Sequence, residues 1–185
     1  MERRGKSSKI IILIFFIPFL LWGILQFLAP LALPQGSVDD LSGYTGLSDN
    51  KEVIDTMPGP WNSVYSAGDR LCHEKAERSF FINGNQMPFC SRCTAIWLGL
   101  AIGLGFMVFY IIRLDEKFVF LLIAGIILMG IDGVGQHLGY WESTNLTRVI
   151  TGLTVGIICG IAIGIIIDEV NDMFFKKKHK LNNVV

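Results

Sequence analysis

CSRCTAIWLGLAIGLGFMVFYII, residues 90–112, joins a C-x-x-C pair directly to an uninterrupted apolar run that begins at Thr94. The 19 residues from Thr94 to Ile112 reach ~29 Å as a helix, close to the roughly 30 Å hydrocarbon core of a bilayer. The run therefore reads as a membrane span with two cysteines at its mouth. Three more apolar runs surround it, at about Ile10 to Leu33, Phe118 to Leu138 and Val149 to Ile167. Composition points the same way: 51% of residues are hydrophobic, only 17% are charged and 20 of 185 are glycine. The expected fold class is an all-α integral membrane protein of four transmembrane helices carrying a small Cys-rich cap. A formal net charge of zero, with no basic, aromatic-interleaved patch outside the tails, argues against a nucleic-acid partner. The bilayer itself is the expected surrounding.

Basic residues set the expected orientation. Arg3, Arg4, Lys6 and Lys9 precede the first run, Arg113 and Lys117 lie between the second and third, and Lys176, Lys177, Lys178 and Lys180 follow the fourth. Ten of the 16 Lys and Arg residues thus fall in short segments on one side, which the positive-inside rule makes cytoplasmic. Both termini are expected inside the cell membrane, with residues 34–93 and 139–148 facing out. The first run lacks a convincing small-x-small cleavage site and reads as a retained anchor.

Four regions follow: residues 1–33, a tail and first span; 34–71, an acidic connection outside the cytoplasm; 72–167, the Cys-rich cap and a three-helix core; and 168–185, a basic tail. Residues 35–60 are acidic and rich in turn formers, so an exposed, weakly ordered connection is expected, with one short helix around Lys51 to Met57. Beyond it, Trp61, Val64, Tyr65 and Leu71 recur at near-helical spacing, predicting an interfacial helix that ends near Cys72 and His73. Asn83-Gly84 between apolar residues signals a tight hairpin.

Helix, hairpin and C-x-x-C together predict a compact knuckle. Cys90 and Cys93 are spaced to grip one ion across a turn, and Cys72 adds a third thiolate after 17 intervening residues. A tetrahedral zinc site needs one more donor, and either His137 or His73 is available. Adjacent residues on a helix point about 100° apart, so Cys72 and His73 share an ion only if the helix ends there. The expectation is therefore His137 near the sulfurs, with His73 turned toward Glu77 or the membrane surface. Cysteines at a helix start also favour thiolate, which suits redox chemistry as well. A structural disulfide would leave one of three outward thiols unpaired. Cys159, deep in the fourth run, reads as a small apolar residue in a helix contact.

A second constellation approaches the same mouth. Asp132 lies 14 residues beyond Phe118, or ~21 Å along a helix, with Gln136 one turn further and His137 beside it. Ionisable groups at such depth are functional candidates by default, the plainer reading being an Asp132 to Arg148 pair that locks two helices. His179 belongs to a solvated tail. Gly152, Gly156, Gly160 and Gly164 form a four-residue ridge, matched by Gly99 and Gly103, that permits close helix packing. Such ridges serve intrachain packing first, and a homo-oligomer or membrane-protein partner second.

Cys72-His73, Glu77-Arg78-Ser79-Phe80, Gly84, Gln86-Met87-Pro88 and Cys90-Ser91-Arg92-Cys93-Thr94, followed by Asp132-Gly133, Gln136, Asn145, Arg148 and Thr151-Gly152-Leu153, resemble a family of small prokaryotic polytopic membrane proteins catalogued as a domain of unknown function. The resemblance spans roughly Cys72 to Gly156. It departs mildly at Glu74, where Gln is usual, at Ala95 for Gly and at Trp97 for Tyr. It implies a shared site and fold, and no reaction.

The expected function is a transition-metal site, zinc first, held by Cys72, Cys90 and Cys93 with His137 or His73, either catalytic or folding the cap. If catalytic, Asp132 or Glu77 handles protons, while Arg78, Arg92, Arg148, Gln86 and Gln136 bind an anionic substrate or headgroup. The alternative is a membrane thiol-disulfide oxidoreductase, because a four-helix bundle with outward cysteines also resembles quinone-linked enzymes of that kind. A clear second cysteine pair to receive a partner's electrons is missing.

Overall fold

The computed structural model describes residues 6–41 and 43–182. The basic residues Arg3, Arg4 and Lys176 to Lys180, together with His179, on which the expected orientation partly rests, lie outside the residues whose side chains are described. Among the described residues, six α-helices, α1 (Lys6–Ala32), α2 (Lys51–Ile54), α3 (Trp61–Leu71), α4 (Ser91–Phe109), α5 (Glu116–His137) and α6 (Asn145–Asn182), and a short 3-10 turn at Ala76–Arg78 frame one two-stranded hairpin, β1 (Ser79–Ile82) and β2 (Asn85–Cys90). Four of the helices are long and apolar enough to cross a membrane: Ser7–Ala32, Ser91–Phe109, Glu116–His137 and Asn145–Phe174. The fourth continues past Ile167 because residues 168–174 contain no helix breaker and extend the same register. Asn171 Nδ2 donates to Ser8 Oγ at 2.7 Å, tying α6 to the start of α1.

Helices α4 and α6 are the most closely packed pair, and glycine is the reason. A Cβ on Gly99 would stand 2.7 Å from the Leu153 carbonyl oxygen and 2.8 Å from Gly156 Cα. On the facing ridge, a Cβ on Gly160 would meet the Leu100 carbonyl at 2.5 Å and Gly103 Cα at 3.0 Å. In lipid, where apolar side chains gain little by turning inward, such backbone-to-backbone packing is a main source of helix association. Both glycine ridges are thus occupied within the chain. Around them, Ile12, Leu104, Met107, Phe118, Ile158 and Ile165 form the buried core of the bundle end away from the cap.

The cap sits over the opposite end. Asn83 and Gly84 take φ of 55° and 72°, the paired left-handed conformation of a tight hairpin turn. Ser79 pairs with Cys90, Phe81 with Gln86 and Ile82 with Asn85, with an irregularity between Ser79 and Phe81. Every residue of β2 is buried. The strand can lie this deep because its polar side chains are fully engaged. Asn85 Nδ2 donates to the carbonyls of Pro30 (2.9 Å) and Pro34 (3.0 Å), closing the end of α1, while its Oδ1 accepts from Val38 N at 3.1 Å.

The acidic connection differs from the weakly ordered segment expected. Val38, Leu41, Ile54 and Met57 pack with Ala29, Leu33, Val64 and Tyr65 in one buried cluster. Gln86 N donates to Val38 O at 2.7 Å, Gly43 N to His73 O at 3.1 Å and Gly46 N to Arg70 O at 2.8 Å. The short helix expected around Lys51 to Met57 is present as α2 and buries Ile54, whereas Val38 and Leu41 carry no periodic signal, yet together these residues seat the segment on α1 and α3.

Candidate metal centre

Cys72 ends α3, Cys90 ends β2 and Cys93 lies in the first turn of α4. Gly68 sets the first of these placements: a Cβ there would collide with the Pro88 carbonyl and with Glu74 Oε1. Helix α3 therefore rests against β2 one turn before Cys72, whose backbone N–H closes onto Gly68 O at 2.8 Å. Cys90 is the N-cap of α4, which brings its sulfur beside the helix's free amides and Cys93 onto the same turn. The three sulfurs lie within 4.8 Å of one another, Cys72 and Cys90 buried and Cys93 partly so. A tetrahedral zinc with Zn–S bonds of about 2.3 Å places its sulfurs ~3.8 Å apart, a set these side chains reach with small adjustments. All four cysteines are free thiols, and Cys159 stands apart in α6.

Charge on the cluster is uneven. Thiol donation from Cys72, then from Cys93, drives Cys90 well below the ordinary cysteine range against the opposing effect of burial, and His73 adds another hydrogen bond. Donation to Cys90 is also the largest cause that holds Cys72 protonated, its thiol pushed up to about 12. His73 Nδ1 accepts from Lys75 N at 3.1 Å. The chain leaves the helix at Cys72 with extended backbone, so His73 is not a helical neighbour of Cys72.

Neither His73 nor His137 joins the mutually close set of ligand atoms. The two histidines do line one cavity of about 700 Å³, with Tyr44, Asp49 and Lys75. On the lipid side, an apolar groove of about 410 Å³ is lined by Pro18, Phe19, Trp22, Ala67, Leu71 and Trp97. Trp22 and Ala67 also pack against the cluster of Cys72, Phe89 and Cys90, so this groove is one residue away from the sulfurs.

Asp132 pairs with Arg92 on α4 and accepts from Ser143 Oγ at 3.1 Å, rather than pairing with Arg148. The rotation of α5 about its axis decides that partner, and spacing along the sequence does not encode it. Arg148 instead donates to Asn145 Oδ1 at 3.0 Å. The Gln136 amide, oriented with its oxygen toward donors, accepts from Arg148 Nη2 at 2.6 Å and Ser143 N at 3.1 Å. Asn145 also accepts from Ser91 Oγ at 3.0 Å, linking α6 to the residue after Cys90. Glu77 is exposed at the rim, 3.7 Å from Arg78. Gln86 has no free face: Oε1 accepts from Leu41 N at 2.8 Å and Nε2 donates to Leu41 O at 3.0 Å and to Glu74 O. It binds the cap to itself and presents nothing to a ligand.

Glu74 is the residue that sequence reasoning passed over. It is buried, and desolvation, then Asp69 and Cys90, push its carboxyl up to about 9. A protonated carboxyl offers one donor and one acceptor, as an amide does. The available signal was its place two residues after Cys72.

This fold and site define a polytopic, helical membrane protein with a three-cysteine cluster at one mouth of its bundle. The chain belongs to the predicted membrane protein family DUF2085, whose model matches residues 72–174. It is similar to an uncharacterized protein of Methanocaldococcus jannaschii, 32% identical over 149 residues covering 78% of this chain and 84% of that one. It is also similar to an uncharacterized protein of Methanothermobacter thermautotrophicus, 39% identical over 87 residues covering 47% of this chain and 78% of the other. No solved structure matches.

Proposed function

We propose that Cys72, Cys90 and Cys93 hold one transition-metal ion, zinc first, on the extracytoplasmic side of the membrane, with a fourth position reached from the cavity of His73 and His137. The convergence of three sulfurs from α3, β2 and α4 within 4.8 Å, without a carboxylate or histidine in the set, carries this reading. Three protein ligands plus an open position is the form of catalytic zinc, and bound zinc supplies a Lewis acid or a water of lowered pKa. His73, in the same cavity as His137, is the alternative fourth ligand. His137 lines the cavity as fourth ligand or as the group behind a bound water. Asp132 keeps Arg92 in place, and Glu77 at the rim exchanges protons with solvent. The same ion ties α3 to the hairpin and α4, so its removal also loosens the cap.

Substitution with cobalt tests the coordination. Sulfur-to-cobalt charge-transfer bands are expected, together with tetrahedral d–d bands that shift when cyanide enters an open position. Bands insensitive to cyanide would make the ion a closed structural clip. Sidedness is tested by labelling cysteine reporters from outside the cell: Ser48→Cys is expected to react and Asn182→Cys to stay protected. Labelling of both only from the cytoplasmic face would overturn the placement of the site.

One observation favours a second reading, the groove behind Trp22. A quinone seated there would take two electrons and two protons as Cys90 and Cys93 close to a disulfide, leaving as quinol. Quinone-dependent appearance of that disulfide in the purified protein would select this reading over the metal.

A further inference from the structure

Three arginines crowd beside the cysteine cluster. Arg78 comes from the turn before β1, whose Ser79 pairs with Cys90, Arg92 from the first turn of α4 beside Cys93, and Arg148 from the first turn of α6, where its partner Asn145 accepts from Ser91 Oγ. The carboxylate set among them is Asp132, bonded to Arg92. Glu77, the other acid nearby, has a side chain 61% exposed, where solvent screens it. Arg148 is 4% exposed, and the Nε of each of the three guanidinium groups is enclosed without a hydrogen-bond acceptor, the exposed Glu77 Oε1 standing 3.7 Å from that of Arg78. An enclosed donor without an acceptor is costly, and three in one neighbourhood is a demand for oxygens from outside the chain.

We infer that Arg78, Arg92 and Arg148 form a subsite for a phosphate-type oxyanion beside the cysteine cluster. A tetrahedral dianion supplies several acceptor oxygens at once, and planar guanidinium forks match its edges. The neighbouring groups hold the forks in place: Asn145 and Gln136 engage Arg148 through its Nη atoms, and Asp132 engages Arg92 through Nη2, which leaves the Nε edges for the ligand. The inference rests on the metal reading only in making this anion the substrate of that centre, and it names the substrate class: a phosphate group, whether free, on a soluble ester or on a lipid.

The test uses the full chain in detergent, with inorganic phosphate as probe and chloride at matched ionic strength as reference. Phosphate is expected to raise the thermal midpoint saturably. Arg78→Gln, which removes the arginine with the fewest contacts inside the protein, is expected to weaken phosphate about tenfold or more, as loss of a charge-assisted contact does, while the phosphate-free midpoint stays near wild type. Arg148→Gln is expected to weaken phosphate likewise, with a lowered phosphate-free midpoint because Asn145 and Gln136 lose their partner. In nanodiscs, phosphatidic acid at least tenfold tighter than inorganic phosphate identifies a lipid headgroup, and equal affinity identifies a soluble ligand. Either result supports the subsite. A phosphate response that persists in Cys93→Ser protein stripped of metal supports the subsite even if the metal reading fails. No phosphate-specific shift in wild type overturns it. So does an unchanged shift in both arginine variants, or an Arg78→Gln effect on metal content alone, which would show that the arginines only neutralise the thiolates.

Discussion

Helices α4 and α6 meet along glycine, whereas α5 joins them through a charge pair and a few side-chain contacts. In the first seam the backbones themselves touch, Gly99 against Gly156 and Gly103 against Gly160. In the second, Gly125 faces the tip of Ile158, Asp132 bonds Arg92, and Ile123, Ile126, Ile127, Ile131 and Val134 are exposed on the remaining surface. The α4–α6 seam fixes where Cys90 and Cys93 stand. Helix α5 is an arm that carries Asp132, Gln136 and His137 to that fixed mouth, and polar contacts decide how firmly it stays.

Gly156→Leu attacks the first seam where nothing can yield, since the new side chain would drive into the Ile96 carbonyl and Gly99 Cα. The expected result is loss of more than about 4 kcal/mol, seen as collapse of the monodisperse fraction on size exclusion. A normal yield would show that the seam separates easily. Asp132→Ala acts on the second seam and leaves Arg92 enclosed without its partner, for about 3 kcal/mol. A cysteine reporter at Gly130, on α5, should then label faster in detergent while the α4–α6 pair stays folded. If Asp132→Ala is silent, the clasp does not hold α5.

Gln86→Leu spares both seams and breaks the cap, with an expected cost of about 2 kcal/mol from the polar partners left unpaired. It should raise proteolysis within residues 36–57 before the helices unfold. Cys159→Ala is the smallest change, expected within about 1 kcal/mol and without effect on metal content, since Cys159 lies on α6 away from the cluster. Metal loss in that variant would place a fourth sulfur where the fold does not.

The sequence carried the bundle well because each span is long, apolar and glycine-marked, and those properties act locally. Asn83-Gly84 announced the hairpin for the same reason: a two-residue turn needs residues that accept positive φ. The knuckle of Cys72, Cys90 and Cys93 was legible from spacing. Partners set by helix rotation were not: Asp132 meets Arg92, 40 residues away along the chain, although Arg148 is equally plausible on paper. The short helix at Lys51–Ile54 was legible, but composition did not reveal that Val38 and Leu41 would be buried beside Ile54 and Met57 in an acidic, turn-rich stretch, because scattered apolar residues without a period carry no element signal.

Metal stoichiometry with parallel thiol counting tests the central claim most directly. Full-length protein purified in detergent is expected to hold about one zinc per chain, with Cys72, Cys90 and Cys93 unreactive until a chelator exposes all three. Cys90→Ser or Cys93→Ser should lose most of that metal. Substoichiometric metal, with Cys90 and Cys93 recovered in a reducible disulfide, would contradict the metal centre and transfer the site to thiol redox chemistry.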